Sequence, residues 1–96
     1  MKKMLFIVNP ISGQRKAVKF LPEIISLFNR ADYEVTVYMT GAQGDAARMA
    51  ALRGGDADLV VCCGGDGTFN ETITGLLENN IHVPVGYIPS GSIASR

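Results

Sequence analysis

The sequence predicts an α/β fold, an open doubly wound parallel sheet with helices on both faces. Three observations carry this. Short apolar runs alternate along the chain with segments of helical periodicity, in the order β-α-β-α-β-α-β. Two of the apolar runs, Leu5-Phe6-Ile7-Val8 and Leu59-Val60-Val61-Cys62-Cys63, are continuous rather than alternating, as strands covered on both faces should be. Glycine- and proline-bearing turns follow each strand.

The first strand, Leu5–Val8, ends at Asn9-Pro10, and a loop from Asn9 to Arg15 contains Pro10, Ser12 and Gly13. Val18, Leu21, Ile24, Ile25 and Phe28 then recur at helical spacing; Pro22 within that run predicts a kink or a fresh turn. Val35, Val37 and Met39 alternate with Glu34, Thr36 and Tyr38, the pattern of a half-exposed strand near an edge. A loop over Gly41–Gly44 leads to a helix from Asp45 through Arg53, stopped by Gly54-Gly55. Leu59–Cys63 is the most apolar run and is expected at the centre of the sheet. After the turn Gly64-Gly65-Asp66-Gly67, a third helix is expected to start at Thr68. Glu71 would close a capping box, and Phe69, Ile73, Leu76 and Leu77 would share the buried face. Pro84–Ile88 is the fourth strand, and Pro89–Ser92 the last turn.

Composition narrows the class. The 96 residues are 47% hydrophobic and 19% charged, which excludes disorder and a collagen-like or disulfide-built scaffold. The apolar start stops after five residues, too short for a signal peptide or a membrane span. Zero net charge hides five cations in the first twenty residues, Lys2, Lys3, Arg15, Lys16 and Lys19, against an excess of acid beyond them. No basic stripe with interleaved aromatics accompanies them, so no nucleic-acid partner is expected. Cys62 and Cys63 are adjacent on a strand and point to opposite faces, poor geometry for a bridge or a shared metal; buried, reduced thiols in a cytoplasmic protein are the expectation. His82, the single histidine, precedes the fourth strand and lies outside the turns that follow strands.

In an open parallel sheet, ligands bind beyond the carboxyl ends of the strands. Asn9–Gly13, Thr40–Gly44, Gly64–Thr68 and Pro89–Ser92 should therefore share one rim. Gly64-Gly65-Asp66-Gly67-Thr68 joins a strand to a helix N-terminus, where backbone N–H groups and the helix dipole suit phosphate. The plain alternative is a tight turn braced by Asp66. The chain holds no Walker P-loop, and Asn70 stands where a dinucleotide fingerprint needs its third glycine. A carboxylate beside phosphate requires an intervening cation, which points Asp66 toward Mg2+ bound through oxygen and water.

Together these turns resemble the nucleotide-binding domain of the diacylglycerol kinase catalytic family, the lipid kinases. The family's NPxSG loop stands here as Asn9-Pro10-Ile11-Ser12-Gly13, its GGDGTxNE hallmark as Gly64 to Glu71, and its P-x-G-T/S turn as Pro89-Ser90-Gly91-Ser92. Thr40, Gly44 and Asp45 match the second loop loosely. GGDGT alone is shared with NAD kinases and, in variant form, with phosphofructokinases; the NPxSG loop favours the lipid kinases. The resemblance implies a three-layer, Rossmann/flavodoxin-like domain over 1–96, the N-terminal half of a two-domain lipid kinase/NAD kinase-like architecture. It implies transfer of the ATP γ-phosphoryl group to a lipid hydroxyl with Mg2+. Asn9, Ser12, Gly13 and Thr40 would contact nucleotide, with Gly91 and Ser92 at the last turn. Gly64, Gly65, Asp66, Gly67 and Thr68 would hold phosphates and metal, Asp66 either binding Mg2+ through water or assisting the acceptor hydroxyl. The Asn-Asp pair that usually continues the last turn is replaced by Ile93-Ala94-Ser95-Arg96, and the family's β-rich second domain is missing. A fragment is therefore expected: inactive alone, prone to form a homo-oligomer, and touching lipid and membrane only as part of the full-length protein. The competing readings are a non-catalytic nucleotide-binding or self-association module and a fragment of an NAD kinase-like enzyme.

Overall fold

A computed structural model of the chain describes residues 1–92; the tail Ile93–Arg96, and with it the departure from the Asn-Asp pair, lies outside them. The elements are β1 (Lys2–Val8), α1 (Lys16–Arg30), β2 (Tyr33–Met39), α2 (Asp45–Arg53), β3 (Leu59–Gly64), α3 (Asp66–Glu78) and β4 (Val85–Pro89), with 3-10 turns at Ser12–Arg15, Gly54–Asp56 and Ser90–Ser92. The four strands form one sheet in the order β2-β1-β3-β4, and every pairing is parallel.

The continuous apolar runs lie in the middle, as their composition requires. From Met4 to Val8, β1 is buried on both faces, and Val60 to Cys63 of β3 likewise. The sheet separates two cores. On one face Leu5, Ile7, Val60 and Cys62 pack with Ala46 and Ala50 of α2 and Leu76 of α3. On the other, Met4, Phe6, Val8, Val61 and Cys63 pack with Ala17, Leu21, Ile24, Ile25 and Phe28 of α1. Cys62 and Cys63 thus serve opposite layers. Burial pushes both thiols up, Cys63 to about 11, so they behave as small apolar side chains.

Four local expectations are corrected. Helix α1 runs unbroken through Pro22. Val18, whose carbonyl the missing N–H would have bonded, and Pro22 both face solvent, where water can take the freed acceptor. Val18 is 43% exposed, and Ala17 holds the buried position instead. Helix α3 begins at Asp66, two residues before Thr68, with Gly65 as its N-cap and no side-chain cap, so the Thr68–Glu71 capping box does not form. Its buried face is Thr68, Thr72, Gly75 and Leu76, while Leu77 is 69% exposed. This narrow face of small residues lets α3 lie close against α2; Thr72 satisfies its own buried hydroxyl on the Thr68 carbonyl at 2.8 Å.

The chain order reverses between β1 and β3: β2 lies outside β1, and β4 outside β3. That junction is where an open parallel sheet leaves a crevice at its carboxyl ends. The turns after β1 and β3 meet there.

Candidate functional site

All four turns meet at the one rim, and side chains tie them together. Asn9 is the first tie. Its backbone N–H donates to the Cys63 carbonyl at 2.9 Å, continuing the β1–β3 ladder, while its side-chain oxygen accepts from Ile11 N–H at 3.2 Å and folds the loop back. Its Nδ2 reaches Thr68 Oγ1 at 3.4 Å, linking the first loop to α3. The approach is close enough to exclude a side chain at Gly64: a Cβ there would lie 2.6 Å from Thr68 Oγ1 and 3.2 Å from the Asn9 Cβ.

Ser12 Oγ and Ser90 Oγ share a 2.7 Å hydrogen bond, joining turns 78 residues apart. Gly13 sits beneath that contact at φ +59°, with space for a Cβ denied by the Ser90 backbone at 2.7 Å. Gln14 and Arg15 follow at φ 58° and 67°. Two successive non-glycine residues in the left-handed region cost on the order of 1–2 kcal/mol each, a local strain that the surrounding loop contacts sustain. The same turn approaches the third loop: a Cβ on Gly65 would lie 3.8 Å from Ser12 Oγ.

The second loop is held by two carboxylates. Asp45 Oδ2 accepts from Gly41 N–H at 2.7 Å and from Ala42 N–H at 2.9 Å. Its Oδ1 meets Arg48 at 3.3 Å, and Arg48 also donates to Tyr38 Oη at 2.8 Å. The Gly41 hydrogen bond and then Arg48 hold the Asp45 carboxyl below its ordinary value. Glu71 Oε1 accepts from Gly44 N–H at 3.1 Å, across 27 residues. Sequence reasoning assigned Glu71 to a cap; with the helix starting earlier, its side chain is released to brace the neighbouring loop.

Between the first loop, the second loop and α3 lies a cavity of about 570 Å³, within the range of small-molecule sites. Asn9, Thr40, Gly67 and Thr68 line it, as does Glu71. Of its remaining walls, Pro10, Ile11, Gly41, Ala42 and Gln43 belong to loops expected at the rim but carry no assigned contact, and Ala46 of α2 lies outside those loops. Ser12, Gly13, Gly64, Gly65, Asp66 and Gly91 lie on the same rim but outside the cavity wall; of the Ser92 side chain nothing is described. The expected residues therefore fall into two adjoining groups rather than one ring.

Helix α3 opens between these groups. With no side-chain cap, its first N–H groups, at Asp66, Gly67 and Thr68, point out of the rim with the positive end of the helix dipole behind them. Asp66 and Gly67 are exposed. The Asp66 carboxylate meets one side-chain donor among the described residues, Tyr87, whose hydroxyl lies 3.4 Å from Oδ1 and 3.3 Å from the Gly64 carbonyl. Partial burial, and then the nearby carboxylate, push the Tyr87 phenol above its ordinary value. Tyr87 escaped the sequence reading because its β-strand position gave only a core expectation. His82 is exposed and precedes β4, at the opposite end of the sheet.

The diacylglycerol kinase catalytic domain matches residues 3–95, essentially the whole chain. The chain belongs to that family. It is 39% identical over 95 residues to a diacylglycerol kinase of Bacillus subtilis (strain 168), covering 96% of this chain and 31% of the relative. It is 38% identical over 89 residues to that of Staphylococcus haemolyticus (strain JCSC1435), covering 91% and 27%. A crystal structure of a diacylglycerol kinase from Bacillus anthracis str. Sterne superposes with a TM-score of 0.78 at 32% identity, over 95% of this chain and 34% of that one. The chain thus spans about a third of the length of the family members it matches. The parallel sheet and its covering helices agree with that structural likeness, as the resemblance implied.

Proposed function

We propose that the chain is the nucleotide-binding part of an ATP-dependent lipid kinase of the diacylglycerol kinase type, and that the rim receives the phosphates of ATP. The uncapped N-terminus of α3 carries this reading. Its N–H groups open onto the junction of the β1 and β3 turns, and a helix start of this kind attracts and hydrogen-bonds anions. In this reading Asn9 and Thr40, which line the cavity, contact nucleotide. Gly64 and Gly65 keep the turn bare enough for phosphate to approach, and Gly67 and Thr68 present backbone donors. Ser12 adjoins Gly65 of that turn and Gly13 the Ser90 backbone, and Gly91 and Ser92 of the last turn complete the proposed nucleotide contacts.

The residues present fit a nucleotide-borne Mg2+ better than a protein-built metal cage. No three potential metal-ligating side chains gather among the described residues, whereas Asp66 offers an exposed carboxylate at the helix start. Mg2+ of this kind keeps its waters and takes most of its ligands from phosphate. Asp66 would hold it through water, and the ion, when bound, offsets phosphate charge during transfer. The chain's own groups supply positioning and electrostatic complementarity, the main demands of phosphoryl transfer. Transfer to a lipid hydroxyl belongs to the whole protein, with residues beyond this chain binding the acceptor. The chain alone binds nucleotide without turnover. No helix among the described residues is long and apolar enough to cross a membrane, and contact with lipid is assigned to the surface of the full-length protein.

Calorimetric titration with ATP and Mg2+ tests this. Half a cleft should give saturable binding with Kd of roughly 0.1–1 mM. Absence of saturable heat at about ten times that concentration contradicts the reading.

A further inference from the structure

We infer that Tyr87 is a positioning residue for Asp66, aiming its carboxylate at the phosphate-borne cation. The inference rests on the nucleotide reading above and adds a residue to it.

Tyr87 lies on β4 opposite Cys62 of β3, so its ring stands beside the strand that leads into the Gly64–Gly67 turn. The ring stacks on Phe69 of α3, with centroids 4.7 Å apart and planes at 27°. This stack joins an edge strand to the first turn of the helix and fixes where the hydroxyl can be. The ring is partly buried against the apolar core, and the hydroxyl is its hydrogen-bonding end. Its partners are the Gly64 carbonyl, the last residue of β3, and Asp66 Oδ1, the first residue of α3. One phenolic hydrogen serves either acceptor, so the contact spans the turn that sets the helix start.

A phenylalanine would fill the same space and keep the same stack. The hydroxyl is therefore surplus to packing. Nor is Asp66 engaged elsewhere: it does not cap α3, and no other side-chain donor among the described residues meets it. An exposed carboxylate on a helix start ordinarily samples several rotamers. A donor placed on Oδ1 selects among them and leaves Oδ2 without a side-chain donor among the described residues, beside the first N–H groups of α3.

The test is a double-mutant cycle on the full chain with Tyr87→Phe, Asp66→Asn and the double variant. Affinity is measured for ATP with Mg2+ and for ATP in chelator. The expected result is that Tyr87→Phe weakens ATP–Mg2+ binding about three- to tenfold and leaves metal-free ATP within about twofold. In the Asp66→Asn background, removing the hydroxyl should change neither affinity. Equal weakening with and without metal, or additive effects of the two substitutions, would assign Tyr87 to packing alone and overturn the inference. So would a Tyr87→Phe chain that binds ATP–Mg2+ as the parent does. A parent chain that fails to bind ATP–Mg2+ at all defeats the nucleotide reading itself, and this inference with it; the two failures are told apart by the parent titration.

Discussion

The two ends of the sheet solve the same geometric problem in different ways. Both must turn the chain between a strand and a helix. At the amino end of the strands, side-chain hydrogen bonds close turns locally: Asn29 bonds the Tyr33 carbonyl and Asn79 the Gly75 carbonyl, each four residues away. The long-range exception is Asp58, which accepts from the Lys3 N–H. At the carboxyl end Asn9 and Asp45 make local bonds of the same kind, but further side chains tie distant segments together across 21, 27, 59 and 78 residues, through Tyr87, Glu71, Asn9 and Ser12. Local bonds make a turn; distant ones set the positions of turns relative to each other. A binding rim needs the second kind, because its ligand touches several loops at once.

Matched glycine substitutions should separate the ends most sharply. Gly13→Ala adds a Cβ 2.7 Å from the Ser90 backbone at a left-handed φ. It should cost about 2–4 kcal/mol in urea denaturation, combining backbone strain with overpacking. Gly55→Ala, at the other end, meets no atom within 4 Å; it should change stability by less than about 0.5 kcal/mol. Equal costs would erase the distinction. The next effect is smaller. Glu71→Ala removes the brace on the Gly44 N–H and should lower stability by about 0.5–1.5 kcal/mol, with weaker ATP binding because the loop that lines the cavity at Gly41, Ala42 and Gln43 loses that support.

The pH dependence sharpens the same contrast. Asp45 has a folded value below the ordinary 3.8. Its contribution is thus fully present above the unfolded value and is lost as pH falls through the depressed one. Asp45→Asn should therefore reduce stability at pH 6–7, and the difference from the parent should shrink below about pH 4. A difference that grows on acidification would contradict the assigned hydrogen bonds. Smallest of all, His82→Ala, far from the rim, should leave both stability and nucleotide affinity within experimental error, about 0.5 kcal/mol.

The elements were legible because burial on two faces leaves a plain mark. Leu59–Cys63 read as central and is central; Glu34–Met39 read as an edge and is one. The clustering of the four turns was legible too, since parallel strands must send all their carboxyl ends one way. What stayed hidden depended on details within turns. The earlier start of α3 turned Glu71 from a cap into a brace, and the helix buries Thr68, Thr72 and Gly75 beside the expected Leu76 while Leu77 faces solvent. The same start put Asp66 at the head of the helix, within reach of Tyr87. No periodicity encodes such a contact, because it depends on where two chain segments 21 residues apart come to lie.

Amide chemical-shift mapping of an isotope-labelled chain tests the central claim most directly. On adding ATP with Mg2+, the N–H signals of Ser12, Gly13, Gly65 and Gly67 should move in a saturable way, while those around Asp58 and His82 stay fixed. Signals that stay unmoved at the rim at millimolar nucleotide, or that shift equally at both ends of the sheet, would contradict it.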